Sequence, residues 1–287
     1  MPELPEVETV ANGVDARVRG QRVVAVWTSG KPQTFKSPEG EIAEALTGAR
    51  IAGVRRVGKT IVMTLGRVRN LERAGDLEGA RSADSEATEQ VEFLVHLGMS
   101  GRLLVSAPEV PLPAHTHAVL TLGDGREIRF VDPRRFGRLS VRREAYAGPG
   151  VEPLGVSAEM FRALFRGRQT PIKAALLNQS ILHGVGNIYA DEALARAGVR
   201  PWRLAARLSR AEMERLRLAL VEVLERAIEL GGSSVSDYVD ADGVRGFFQL
   251  EHRVYGRGGE PCRVCGTAIR KIVVGGRGTH FCPACQR

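Results

Sequence analysis

The chain has 287 residues, 43% hydrophobic and 26% charged, which suits about two globular domains with real cores. No apolar run reaches the roughly 18 residues of a membrane helix, and the acidic opening Met1-Pro2-Glu3-Leu4-Pro5-Glu6 is no secretory leader. A soluble cytoplasmic protein with no membrane partner is therefore expected. A net charge of +8 fits a polyanion partner or a plain solvated basic surface. Only five of the 41 basic residues are Lys. Arg suits bidentate phosphate contacts, although a GC-rich genome produces the same bias.

Glu3 to Arg19 reads as a helix, because Val7, Val10, Val14 and Val18 recur at three- and four-residue spacing. Pro2 and Pro5 fall in its first turn, early Glu residues suit the positive end of its dipole, and Gly20 stops it. Strands are predicted over Arg22–Thr28, Arg50–Val57, Thr60–Leu65, Val91–His96, Arg102–Val105, His117–Leu122, Arg126–Val131 and Arg138–Val141, with a helix at Ser37–Leu46. Gly123-Asp124-Gly125 reads as a hairpin turn. Val68 to Gln90 holds six acids and three Arg among Ala, Gly and Ser. It reads as an inserted surface loop, too acidic to face DNA.

From about Gly150 the pattern turns helical. Helices are predicted over Ser157–Phe165, Pro171–Gln179, Asn187–Ala197 and Ser209–Leu230, the last with a capping box at Ser209 and Glu212. A tight glycine turn, Ser180–Gly186, separates the second and third. Residues 245–287 carry eight Arg or Lys against two Glu, most of the net charge. All four cysteines lie there, as Cys262-x2-Cys265 and Cys282-x2-Cys285 with 16 residues between. Two such knuckles make a closed tetrahedral site for one structural zinc; unliganded thiols are the alternative. The segment between reads as a hairpin, Ala268–Val273 and Thr279–Phe281, with Arg277 among glycines at its tip, either a probe for a nucleic-acid groove or an exposed turn residue. His280 would be a substitute ligand only if a cysteine failed. His115 and His117 share a strand face but make an incomplete metal site.

Met1 precedes a small residue, so its removal is expected, leaving Pro2 with a free secondary amine. An α-amino group titrates near 7.7–8.0, so part of it is neutral and nucleophilic at pH 7. Attack on a sugar carbon would give an iminium, an electron sink, with Glu3 beside it as acid or base. Pro and Glu also open many ordinary helices.

Pro2-Glu3-Leu4-Pro5-Glu6-Val7-Glu8-Thr9 closely resembles the opening of bacterial formamidopyrimidine-DNA glycosylases, the 8-oxoguanine glycosylases. His96-Leu97-Gly98-Met99-Ser100-Gly101, Asp132-Pro133-Arg134-Arg135-Phe136-Gly137, Gly184-Val185-Gly186-Asn187-Ile188-Tyr189-Ala190 and Val254-Tyr255-Gly256-Arg257 resemble further family motifs in family order. The departure is the long acidic stretch, which leaves the flanking strand boundaries open.

The resemblance implies an α+β fold. An N-terminal two-layer β-sandwich with flanking helices (2–149) holds the catalytic groups. A helical domain with a helix–two-turns–helix motif (150–245) and a β-hairpin zinc finger (246–287) follow, and damaged double-stranded DNA crosses between the halves. It implies a base-excision-repair enzyme that removes oxidised purines and cuts the abasic site by β- then δ-elimination; a monomer is expected because no long heptad seam appears in the sequence. Pro2 attacks C1′, Glu3 is the neighbouring acid or base, and Lys59 protonates the base or binds a nearby phosphate. Met99, Arg134 and Phe136 fill the hole left by the flipped base, Arg134 pairing with the orphan cytosine. The plainer alternatives are core positions for Met99 and Phe136 and a salt bridge for Arg134. Asn187 and Arg277 hold phosphates beside the lesion, with His96 and Lys173 as further phosphate contacts. Ser233–Phe248 covers the flipped purine as a lid. Two alternatives stay open: the related glycosylases of oxidised pyrimidines, and a non-enzymatic zinc-finger DNA-binding protein.

Overall fold

The computed structural model describes residues 1–68, 88–235 and 238–287. Most of the expected acidic loop (69–87) and two residues of the expected lid (236 and 237) lie outside the described residues. The chain divides into two compact units. One gathers Val10–Arg56 and Thr60–Tyr146; the other gathers Met1–Thr9, Val57–Lys59 and Ala147–Arg287.

The first unit holds most of helix α1 (Leu4–Val18), then β1 (Val23–Thr28), α2 (Glu39–Leu46), β2 (Arg50–Val57), β3 (Thr60–Val68), β4 (Thr88–His96), β5 (Arg102–Ser106), β6 (Thr116–Leu122), β7 (Glu127–Val131) and β8 (Arg138–Arg142). The strands form two four-stranded sheets, ordered β1-β6-β7-β5 and β2-β3-β4-β8. The valine stripe of α1 is buried throughout, as its helical spacing requires. In the second sheet β3 and β4 pair in unbroken antiparallel register from Thr60↔His96 to Val68↔Thr88. The ladder thus runs three residues further on each strand than the apolar pattern alone marks. Gly66↔Gln90 and Arg67↔Glu89 are polar pairs beyond the core, invisible to a hydrophobic criterion. The acidic stretch is correspondingly shorter than its composition suggested.

The second unit contains α3 (Ala158–Phe165), α4 (Ile172–Leu176), α5 (Asn187–Ala197) and α6 (Arg210–Glu229) around one apolar core that includes Leu4, Phe161, Phe165, Tyr189 and Phe248. The capping box forms as expected: the Ser209 hydroxyl accepts from the Glu212 N–H and Glu212 accepts from the Ser209 N–H. Helix α4 stops at Leu176, short of the expected Gln179. There the side chains take over the backbone bonding: Asn178 Oδ1 accepts from Ser180 N–H at 3.0 Å, and Gln179 Oε1 from Gly184 N–H at 2.9 Å.

The chain ends in a hairpin of β9 (Arg270–Val274) and β10 (Arg277–Phe281). Gly275 and Gly276, with φ of 56° and 75°, make the two-residue turn that needs left-handed backbone at both positions. Arg277 is therefore not at the tip. It opens β10 opposite Val274, held by the ladder. The core under this hairpin is small, Val254, Ile269, Cys262 and Cys282, too little to fold without a staple.

Candidate active site

The site is built on the first turn of α1. Pro2, Glu3 and Glu6 are buried, and Glu3 and Glu6 sit three residues apart on one helix face. The Glu3 N–H donates to Glu6 Oε2 at 2.8 Å. The Glu3 carboxylate faces the start of α5, where Oε1 accepts from the Ile188 N–H at 3.1 Å and Oε2 from the Tyr189 N–H at 3.5 Å. Helix N-termini carry free N–H groups and partial positive charge, so a carboxylate rests well there. The approach depends on Gly186: a Cβ there would lie 2.2 Å from Glu3 Cδ. Gly184, at φ +94°, similarly leaves room for Leu4 and accepts its N–H through its carbonyl at 3.0 Å.

Glu6 accepts from the Tyr189 hydroxyl and from the Ser233 N–H at 2.7 Å. Gly232, at φ +83°, permits this, since a Cβ would reach within 2.9 Å of Glu6. These partners hold Glu6 against the burial that pushes its carboxyl upward. Glu3 is pushed up to about 7. Burial is the main cause; Glu6 adds to it, while Lys59 and the two N–H bonds oppose it. Lys59 follows Gly58, whose φ of +60° packs it 3.1 Å from His183 by the same Cβ measure. Burial lowers the Lys59 ammonium from its usual range; the two carboxylates resist the shift and Arg277 reinforces it. The arrangement holds an acid next to the buried Pro2 and an amine that interacts with that acid, each displaced toward neutrality. That is the condition for proton transfer at physiological pH.

The Lys173 ammonium is wholly buried. It pairs with Asp191 Oδ1 at 2.7 Å and donates to the Gly278 carbonyl at 3.0 Å and Thr279 Oγ1 at 2.7 Å. A lysine has three donors, so these partners leave none for the phosphate expected from sequence. Lys173 instead pins β10 to α4, and Asp191 Oδ2 adds a bond from the His280 N–H at 2.8 Å. Asn187, half-buried at the start of α5, donates to the same Gly278 carbonyl at 3.0 Å. Arg277 remains exposed beside this anchored backbone.

The other expected DNA contacts lie in the first unit. Met99 is 41% and Phe136 46% exposed, which rules out the core alternative for both. The Arg134 guanidinium lies over the Phe136 ring, 4.9 Å from its centre. His96 is half-buried, and its Nδ1 accepts from the Gly98 N–H at 3.1 Å.

The four cysteine sulfurs lie within 4.8 Å of one another, with Cys262–Cys285 at 3.9 Å and Cys265–Cys282 at 3.4 Å. Tetrahedral Zn–S bonds of about 2.3 Å place sulfurs about 3.8 Å apart, so the cage fits one zinc ion. Its role is structural, since four protein ligands leave no open position. Gln286 ties the cage to the end of α5, donating to the Val199 carbonyl at 2.8 Å and accepting from the Cys282 N–H at 2.8 Å. Stripping zinc with a chelator is expected to weaken binding to an abasic-analogue duplex by about tenfold or more, because metal binding here is folding free energy. Fluorescence anisotropy checks this; unchanged affinity would show that the hairpin stands without its metal.

Sequence reasoning passed over Glu6, Tyr189, Ser233 and Asp191. Glu6 and Tyr189 stand inside the very strings that carry the resemblance, and the three-residue spacing of Glu3 and Glu6 on a helix was a usable signal. Ser233 and Asp191 act through contacts between distant parts of the chain, which no local pattern announces.

Residues 1–139 match the formamidopyrimidine-DNA glycosylase N-terminal domain, 150–239 its H2TH domain, and 259–287 the zinc finger found in FPG and IleRS. The chain is 43% identical to the formamidopyrimidine-DNA glycosylase of Solibacter usitatus and 41% identical to that of Thioalkalivibrio sulfidiphilus, in each case with both chains covered in full. Among solved structures it resembles the MutM (FPG) protein of Thermus thermophilus, at 40% identity, TM-score 0.81 and coverage of 99% and 98% of the two chains. It also resembles a mutant Lactococcus lactis FPG in complex with a Fapy-dG containing DNA, at 32% identity, TM-score 0.84 and full coverage of both. A DNA glycosylase with abasic-site lyase activity is the class these matches define. The chain belongs to the formamidopyrimidine-DNA glycosylase family. Among the described residues no helix is long and apolar enough to cross a membrane.

Proposed function

We propose that this enzyme excises oxidised purines, 8-oxoguanine and formamidopyrimidines, from duplex DNA through Pro2. The observation that supports this most is the buried Pro2-Glu3 turn, with Glu3 titrating near 7 beside a depressed Lys59. The Pro2 amine, freed of Met1, forms a bond to C1′ as the bond to the base breaks. The base leaves carrying a proton, for which Lys59 and Glu3 are the donors. The proton lost from the Pro2 nitrogen passes through Glu3 to the sugar ring oxygen, and the freed lone pair opens the ring to the iminium. Loss of the C2′ proton then expels the 3′ phosphate, and a second elimination expels the 5′ phosphate.

Met99, Arg134 and Phe136 occupy the vacated stack, and Asn187 and Arg277 hold the flanking phosphates. The segment around Val244 and Phe247, both exposed, covers the purine. Zinc keeps the hairpin folded and takes no step. In this division of labour the chain reads as 2–149 for the chemistry, 150–245 for the helical DNA clamp, and 246–287 for the finger. The Lactococcus lactis relative bound to Fapy-dG containing DNA favours the purine reading. A wild-type relative bound to an oxidised pyrimidine keeps the neighbouring substrate class as the comparison.

The test is borohydride trapping on a duplex with one 8-oxoguanine opposite cytosine, set beside a thymine glycol duplex. A covalent band formed faster on 8-oxoguanine supports the purine reading, the reverse order supports the pyrimidine one, and no band on either favours a binding protein. Lys59→Ala is expected to slow single-turnover base release about 10²- to 10⁴-fold, the range of a lost proton donor. Trapping on a preformed abasic duplex, where no base needs protonation, should suffer much less. Equal losses on both would move Lys59 to phosphate binding.

A further inference from the structure

The turn carrying Met99 and the turn carrying Arg134 and Phe136 are fused around one carboxylate. Asp132 is fully buried at the end of β7. Its Oδ1 accepts from the Ser100 hydroxyl at 2.6 Å and the Arg134 N–H at 3.2 Å, and its Oδ2 from the Gly137 N–H at 2.7 Å. Each donor is one of the three exposed side-chain bearers or the residue next to one. The Asp132 main chain is fixed as well: its carbonyl meets His117 Nε2 at 3.0 Å and its N–H donates to the His115 carbonyl at 3.0 Å. The two turns also touch backbone to backbone. A Cβ on Gly98, at φ +65°, would lie 2.5 Å from Gly137 N and from Phe136 C. Arg135, between the probes, is held at φ 55°, a left-handed conformation a non-glycine residue keeps only when its surroundings enforce it.

We infer that Asp132 is the positioning residue that makes Met99, Arg134 and Phe136 a single preset wedge. The inference rests on the proposed void-filling role of those three. Asp132 touches no substrate. It fixes where the probes stand before DNA arrives, so the cost of ordering them is met during folding and not on base flipping. A buried carboxylate suits this, because its two oxygens accept three converging donors and charge-assisted bonds are the stronger kind. Asparagine offers one acceptor oxygen and would turn an NH2 group toward donors.

The test is single-turnover kinetics on a duplex with 8-oxoguanine opposite cytosine, beside borohydride trapping on a duplex with a preformed abasic site. Asp132→Asn is expected to slow base excision about ten- to hundredfold. Trapping on the abasic duplex, where no base must be extruded, should stay within about threefold of the parent. Adding Arg134→Ala to Asp132→Asn should cost far less than Arg134→Ala costs alone, because the probe is already displaced. Ser100→Ala, which spares the carboxylate, should give a smaller loss that is non-additive with Met99→Ala. It carries the test if Asp132→Asn does not fold. Additive losses in both cycles, or excision at the parent rate in Asp132→Asn, would overturn the inference. If Met99→Ala, Arg134→Ala and Phe136→Ala each excise at the parent rate, the void-filling reading fails first and takes this one with it.

Discussion

Protein that keeps Met1 is expected to give no borohydride-trapped adduct with 8-oxoguanine or abasic-site DNA, a loss of at least about a thousandfold, in line with removal of a nucleophile. With Met1 in place the Pro2 nitrogen is a tertiary amide: its lone pair is delocalised and it has no proton to exchange. Without Met1 the same atom is a secondary amine that titrates near 7.7–8.0. Pro2 is buried whereas Met1 is 52% exposed, so retention need not disturb the packing of the turn. The two forms should therefore bind a non-cleavable abasic analogue alike and share one melting temperature. That makes the comparison a test of chemistry and not of folding. A retained-Met1 protein that still traps would place the nucleophile elsewhere. Lys59 is then the first alternative, as burial already draws its ammonium toward neutrality.

Why this chemistry was legible in the sequence, while much of its support was not, follows from the range over which each interaction acts. Amphipathic period, turn glycines and cysteine spacing are local, and they located α1, α5, α6, the paired glycines of the last hairpin and the zinc cage. The acidic stretch misled only where a ladder outlasts its core, since main-chain pairing carries β3 and β4 past the last apolar residue. Lys173 shows the opposite failure. A lysine named as a phosphate contact by resemblance alone loses that role once Asp191, Gly278 and Thr279 are seen to take its three donors. Single residues named by resemblance stand at ends of elements, where the motif strings lie. Of the groups that hold them, Glu6 and Asp132 stand inside those strings, but their bonds to Tyr189, Ser233 and Ser100 cross dozens to hundreds of residues, and Ser233 leaves no pattern in the chain at all. Glycine is the partial exception. Gly98, Gly184, Gly186 and Gly232 each mark a place where backbone or a side chain approaches too closely for a Cβ, and three of these four lie inside the motif strings.

Glu3→Gln is expected to lose base excision about 10²- to 10⁴-fold, the range of a missing general acid, while making the protein more stable at alkaline pH. Both effects come from the same shift. Burial holds the Glu3 carboxyl near 7, against 4.5 in its ordinary state, so the folded protein binds the proton more tightly than the unfolded chain does. Between those values stability must fall as pH rises, and above pH 7 the folded state carries a penalty of about 3 kcal/mol. Glutamine, like the protonated carboxyl, keeps one carbonyl oxygen for the Ile188 N–H, gives up the longer Tyr189 contact at 3.5 Å, and never ionises. The variant should thus match the parent near pH 4.5 and exceed it by roughly that penalty at pH 8, as denaturant titrations at the two pH values would show. Its rate profile should change in step. In the parent, excision that needs Glu3 protonated and the amine neutral falls above 7 on the acid's account and below about 7.7–8.0 on the amine's, giving a narrow maximum. In Glu3→Gln the alkaline limb should vanish and the residual rate should rise with pH to a plateau as the amine deprotonates. An alkaline limb that survives the substitution assigns that proton to another group, with Glu6, bonded to Tyr189 and raised by burial, next in line. A variant no more stable than the parent at pH 8 would mean that Glu3 is ionised at ordinary cost and that its place in the site is as a base.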